Sequence, residues 1–215
     1  MLREFLNREK LFQGLANDTT FINSLTKIIV LTIVFLGIYG AIYGYWLNEQ
    51  NLEWILKDLI KFPATFLLTI LFSLPGTYLV AIVSGTKKGA IHTFAVSLSG
   101  TAIMSTFTLA FGGILVILMG MNGVSYDFLQ MTHGLIILFS ALIGNFYVFF
   151  GFKNLLGLND SAAMVLVFIG GIIWFVMLPQ AAGLIGPYSS GAYASPFFEG
   201  ISGMWGSAQM TSALR

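Results

Sequence analysis

The chain of 215 residues contains no cysteine and only two histidines. Without thiols, disulfides, thiolate zinc sites, iron–sulfur clusters and cysteine nucleophiles are all excluded. Charge is equally scarce: charged residues make up 9% of the chain, and 10 Lys and Arg against 9 Asp and Glu leave a net charge of +1. A soluble domain carries roughly 25% charged residues, so a medium other than water must surround most of this chain. A net charge so close to zero supplies no basic field for nucleic acid, which is excluded as a partner.

What the sequence has instead is hydrocarbon. Hydrophobic residues account for 57% of it, and the mean hydropathy is +0.86. Crossing the ~30 Å core of a bilayer takes ~20 apolar residues at ~1.5 Å each. Five stretches reach that length: Ile28 to Leu47, Pro63 to Ser84, Ala90 to Met121, Phe128 to Phe152 and Ala162 to Gly186. Each is apolar on all faces, as suits a helix with lipid around it. The third would extend on the order of 48 Å if straight, too long for an upright span, so it must tilt, extend into the interface, or break, with Gly112-Gly113 the break point in the last case. The fold class is therefore all-α, a polytopic transmembrane helix bundle of about five spans. Residues 1–27 form an N-terminal amphipathic segment, 28–186 the transmembrane domain, and 187–215 a tail rich in Gly, Ser and aromatics. Met1 to Asp18 is charged and lacks the apolar centre of a cleavable signal peptide.

One or two interfacial helices complete the pattern. From Asn48 to Phe62, Leu52, Ile55, Leu56, Leu59 and Ile60 repeat at helical spacing, with Glu53, Lys57, Asp58 and Lys61 on the other face. This predicts an amphipathic helix lying on the bilayer with Trp54 at headgroup level. Leu2, Phe5 and Leu6 opposite Arg3 and Arg8 form a weaker version. The positive-inside rule gives the orientation. With the N-terminus cytoplasmic, Arg3, Arg8, Lys10, Lys27, Lys87, Lys88 and Lys153 fall inside, and only Lys57, Lys61 and Arg215 outside.

Few residues suggest chemistry. Pro75 interrupts the second span beside Ser73 and Thr77, and Pro179 interrupts the fifth beside Gln180. Each proline frees a carbonyl four residues back, Leu71 or Phe175, and Ser73 is a candidate partner for the first. These five positions are candidate helix-kink and polar sites, either static kinks or the broken helices of a transporter. His92 and His133 belong to opposite ends of antiparallel spans, on the order of 20 Å apart. They cannot share a metal or heme, and no cofactor is expected. Asn145 lies nearer the level of His92 and forms a candidate polar pair with it. Every Asp and Glu falls at a span edge or in a loop, which leaves no acid pair for intramembrane proteolysis and no buried relay for an ion-coupled pump. Small residues (Gly37, Gly40 and Gly44, then Ser97, Thr101 and Ser105, then Gly170 and Gly171) suit close helix packing. The hydroxyls of the third span, Thr93 through Thr108, surround the helix without forming one stripe; they suit packing, or bonds back to their own carbonyls.

The run Lys61-Phe62-Pro63-Ala64-Thr65-Phe66-Leu67-Leu68-Thr69, leading to Leu74-Pro75-Gly76-Thr77-Tyr78, resembles an uncharacterised family of bacterial five-span membrane proteins. Members are sometimes labelled actin-binding WH2-containing. Tyr39-Gly40-Ala41-Ile42-Tyr43-Gly44, Gln180 and Ser195-Pro196-Phe197-Phe198-Glu199 fit the same pattern, which is distantly similar to the Yip-type proteins that organise vesicle membranes. The resemblance covers nearly the whole chain. It implies a five-helix fold in a bacterial inner membrane, with the N-terminus cytoplasmic. The chain departs from it after Gln180, where Ala181-Ala182-Gly183-Leu184 replaces an expected Trp and Arg. No WH2 segment is legible, because Leu25-Thr26-Lys27 and Thr86-Lys87-Lys88 abut spans.

The leading expectation is a non-enzymatic membrane protein, a scaffold or accessory subunit of a membrane assembly. Its partners would be the bilayer and other membrane subunits or a second copy of the chain. The alternative is a small transporter or channel built on the kinked second and fifth helices.

Overall fold

The computed structural model describes residues 6–47, 52–121 and 124–185. Six helices account for nearly all of them: α1 (Arg8–Ala16), α2 (Asp18–Leu47), α3 (Leu52–Val83), α4 (Ala90–Met119), α5 (Tyr126–Asn154) and α6 (Asp160–Ile185). The fold is all-α. Five helices, α2 through α6, are long and apolar enough to cross a bilayer, and the chain is an integral membrane protein. At 26 to 32 residues they run ~40–48 Å, long enough to carry their ends into the headgroup layers.

The helix starts follow ordinary capping chemistry. The Asn7 side chain accepts hydrogen bonds from the amides of Glu9 and Lys10. Asn17 does the same for Thr19, Ser125 for Phe128 and Asn159 for Ala162. Tight turns join the spans at Gly85 (φ 96°) and Gly157 (φ 71°), a backbone region that glycine enters without steric cost. The hydroxyl of Thr86 donates to the Leu156 carbonyl at 3.0 Å, tying these two loops together at one end of the bundle.

In cross-section the spans form a ring. α2 packs on α3 and α4, α3 on α6, α4 on α5, and α5 on α6. α4 is enclosed by three other spans, α2, α3 and α5. That position accounts for its hydroxyls: Thr93, Ser99, Thr101, Ser105 and Thr108 are buried between helices. Outside, Val30, Ile60, Leu79, Phe139, Phe168 and Leu184 are exposed. Inside, large side chains such as Tyr39, Tyr43, Phe152, Leu98 and Leu166 are fully buried, alongside small residues that let backbones approach.

Several expectations from the sequence need correction. The stretch from Asn48 to Phe62 is not a separate surface helix, because α3 runs unbroken from Leu52 through Pro63 and Pro75 to Val83. Its apolar positions Leu52, Leu56, Leu59 and Ile60 do face outward, but from the side of a span. Of the three ways offered for the long third span, α4 does not take the break at Gly112-Gly113 and runs as one helix. α1 turns Leu11, Phe12 and Leu15 inward against the bundle. The proposed N-terminal stripe of Leu2, Phe5 and Arg3, and the tail from Pro187, fall outside the described residues.

Candidate functional site

Two places in the bundle gather polar side chains. The first is a groove of about 220 Å³ enclosed by α3, α4, α5 and α6. Its floor is Ser73 and Thr77 of α3 with Ser97, Gly100, Thr101 and Met104 of α4. α5 contributes Leu138, Leu142, Asn145 and Val148, and α6 contributes Gly170, Gly171, Trp174 and Phe175. Leu138, Leu142, Asn145 and Phe175 are exposed, so the mouth opens sideways between α5 and α6, toward the bilayer.

The glycines set the groove's width. A side chain at Gly171 would meet nothing within 4 Å, and one at Gly170 would only touch Thr77 at ordinary contact distance, 3.6 Å. These two glycines leave space rather than bringing helix backbones together, the opposite of the packing role expected for them. Gly144 behaves otherwise: a Cβ there would lie 2.6 Å from the Gly100 carbonyl oxygen, so α4 and α5 touch backbone to backbone at the groove wall.

Three hydroxyls of the floor are already committed. Ser73 donates to the Ile70 carbonyl at 3.0 Å, Thr77 to Ser73 at 2.9 Å and Thr101 to Ser97 at 3.2 Å. Ser73 was expected to satisfy Leu71, the carbonyl that Pro75 frees; it bonds to the neighbouring turn position instead. Pro75 is exposed on the outer side of α3, and Gln180 is exposed near the far end of α6 with Pro179 half-buried beside it. Of the five kink and polar candidates, Ser73 and Thr77 share the groove, while Pro75, Pro179 and Gln180 are not among its lining residues.

The second place lies at the end of the bundle where α2 finishes and α3 and α5 begin. Asp58, near the start of α3, is fully buried there, which corrects its expected place on the wet face of a surface helix. Gly40 and Gly44 make room for it: a Cβ on Gly44 would lie 2.6 Å from its carboxylate, and one on Gly40 would collide with its backbone carbonyl. Beside it, the Tyr39 hydroxyl and His133 Nδ1 share a hydrogen bond of 2.7 Å, and the Tyr43 ring stacks on His133 with centroids 4.1 Å apart. Phe62 closes the cluster against Tyr39, Tyr43 and His133. Sequence reading missed this cluster. The signal was there in Tyr39, Gly40, Tyr43 and Gly44, four positions on one face of a helix, but their partners lie on two other helices.

His92 lies at the opposite end, its ring centroid 5.3 Å from that of Phe21, and its Nδ1 has no hydrogen-bond partner among the described residues. Asn145 stands at the groove mouth. The structure makes no hydrogen bond between them, and the candidate pair is not joined. No group of three or more His, Cys, Asp or Glu side chains among the described residues is arranged to hold a metal ion. Comparisons of the chain with known protein families, with curated proteins and with solved structures find no match.

Proposed function

We propose that this integral membrane protein is a non-enzymatic accessory protein of the membrane that holds one apolar chain, drawn from the bilayer, in the groove between α5 and α6. The carrying observation is the lateral mouth. A pocket that opens between two spans meets hydrocarbon before it meets water. α5 and α6 pack on each other and are pinned by an ion pair of 2.7 Å between Lys153 and Asp160. Packed neighbours sit ~8–10 Å apart, so a partner's helix, ~10 Å across, would have to force them open, whereas a single extended chain would not. Commitment of three of the floor hydroxyls to their own helix carbonyls supports a binding role over a catalytic one.

Filling the groove tests the reading. Gly171→Leu adds a side chain into open space, and Gly113→Leu adds the same side chain to an exposed position with nothing within 4 Å. Native mass spectrometry after mild detergent extraction should find a co-purifying lipid on the parent chain and on Gly113→Leu, but not on Gly171→Leu. Equal lipid retention by both variants would remove the groove from consideration.

A second reading, a small proton-coupled carrier, draws on one observation: Asp58 and His133 are both buried in a span, where ionisable side chains mark ion or proton routes. Liposomes containing the parent chain should then dissipate an imposed pH gradient faster than those containing Asp58→Asn. A rate no different from empty liposomes ends this reading.

A further inference from the structure

Resting on the groove reading above, we infer that the held chain belongs to an anionic phospholipid whose headgroup sits at the end of the bundle carrying Lys87, Lys88 and Lys153. The argument is one of charge and register. Phe152 lines the groove, and Lys153 follows it on α5. Lys87 and Lys88, both exposed, stand on the turn between α3 and α4. The bond from Thr86 to Leu156 ties that turn to the one between α5 and α6, so the three cations belong to one joined pair of loops. Lys153 is paired with Asp160, while Lys87 and Lys88 form no ion pair among the described residues.

The level of the groove fits such a lipid. Along α5 it reaches from Phe152 to Leu138, a rise of roughly 21 Å, close to the depth of one leaflet; Phe152 adjoins Lys153, while on α4 the first lining residue, Ser97, lies nine positions beyond Lys88. A chain lying in it would leave its phosphate at the basic loops. The opposite end offers no match. Its charges among the described residues, Glu53, Lys57, Asp58, Lys61 and Asp127, leave one net negative charge, and Lys57 is taken up by Glu53 at 2.6 Å. A juxtamembrane lysine favours an anionic headgroup by roughly fivefold, so two lysines without an ion pair among the described residues and one shared make a preference large enough to measure.

The test uses the full-length chain in mixed micelles with phosphatidylglycerol and phosphatidylcholine of identical acyl chains. Native mass spectrometry should show phosphatidylglycerol retained over phosphatidylcholine by roughly tenfold or more. The triple variant Lys87→Gln, Lys88→Gln, Lys153→Gln should bring the ratio near one and keep the bound lipid. Inorganic phosphate, at the same ionic strength as a chloride control, should not displace the lipid. Equal retention of the two lipids by the parent chain overturns the headgroup assignment and leaves the groove reading standing, as does a preference that survives in the triple variant. Failure to retain either lipid overturns both, and displacement by phosphate assigns the lysines to a free anion instead.

Discussion

At the scale of single residues, glycine does two opposite jobs in this bundle. Pro63 has no amide to offer the Leu59 carbonyl one turn back, and the position a side chain would take on Gly37 lies 3.0 Å from that oxygen. Glycine's second Cα–H thus faces a carbonyl deprived of its helix donor, a weak but recurrent substitute at helix interfaces. Gly40 is tighter still, against the Asp58 carbonyl and Phe62. Gly40→Ala should therefore lower the thermal stability in detergent, at an overpacking cost of about 1–3 kcal/mol. Gly113→Ala, with open space around it, should be neutral or gain up to about 1 kcal/mol from helix propensity. Equal melting temperatures for the two would contradict the contact account. Tyr39→Phe tests the other cluster. Removing the hydroxyl leaves His133 Nδ1 buried without that bond, and unfolding should become easier by about 1–3 kcal/mol. A melting curve superimposable on the parent's would mean the bond contributes nothing.

At the scale of elements, the prolines separate local from tertiary effects. Both Pro63 and Pro75 lie inside α3 without ending it, because the helix is held on one side by α2 and on the other by α6. An isolated soluble helix would break there, at ~3 kcal/mol per proline. In lipid the unpaired alternative is worse, so the helix continues. Pro75 faces outward and lines no part of the groove. Pro75→Leu should restore a hydrogen bond to the Leu71 carbonyl, raise the melting temperature and leave lipid retention unchanged. A fall in retention would show that the kink shapes the groove. α4 makes the complementary point. Its hydroxyls face several neighbours, and Ser99, Ser105 and Thr106 donate to their own helix at 2.7–2.9 Å. The buried hydroxyls of Thr93 and Thr108 on the same helix have no hydrogen-bond partner among the described residues, so self-satisfaction covers only part of this helix.

At the scale of the molecule, the ring of spans places the Thr86–Gly89 turn at one end and Lys57 at the other. The absence of native cysteine makes that arrangement directly testable. In sealed vesicles, Lys88→Cys and Lys57→Cys should react with a membrane-impermeant thiol reagent from opposite sides. Labelling of both from one side would dismantle the five-span bundle. The lysine distribution further predicts that position 88 is the cytoplasmic one.

The five spans were legible in the sequence because hydrocarbon thickness acts on each segment separately: length and composition alone decide whether Ala162 to Gly186 can cross. The boundary of α3 was not legible. Glu53, Lys57 and Asp58 read as the wet face of a surface helix until Gly40 and Gly44 of another span supplied a place to bury Asp58. For the same reason, Ser73 and Thr77 were visible as polar positions, while the groove they floor depends on Gly170 and Gly171, whose empty space has no signature in one dimension. Solvent preference is a property of a segment and can be read along the chain. Which side chains meet, and where two helices fail to fill the space between them, are properties of pairs of segments, and only the packed bundle decides them.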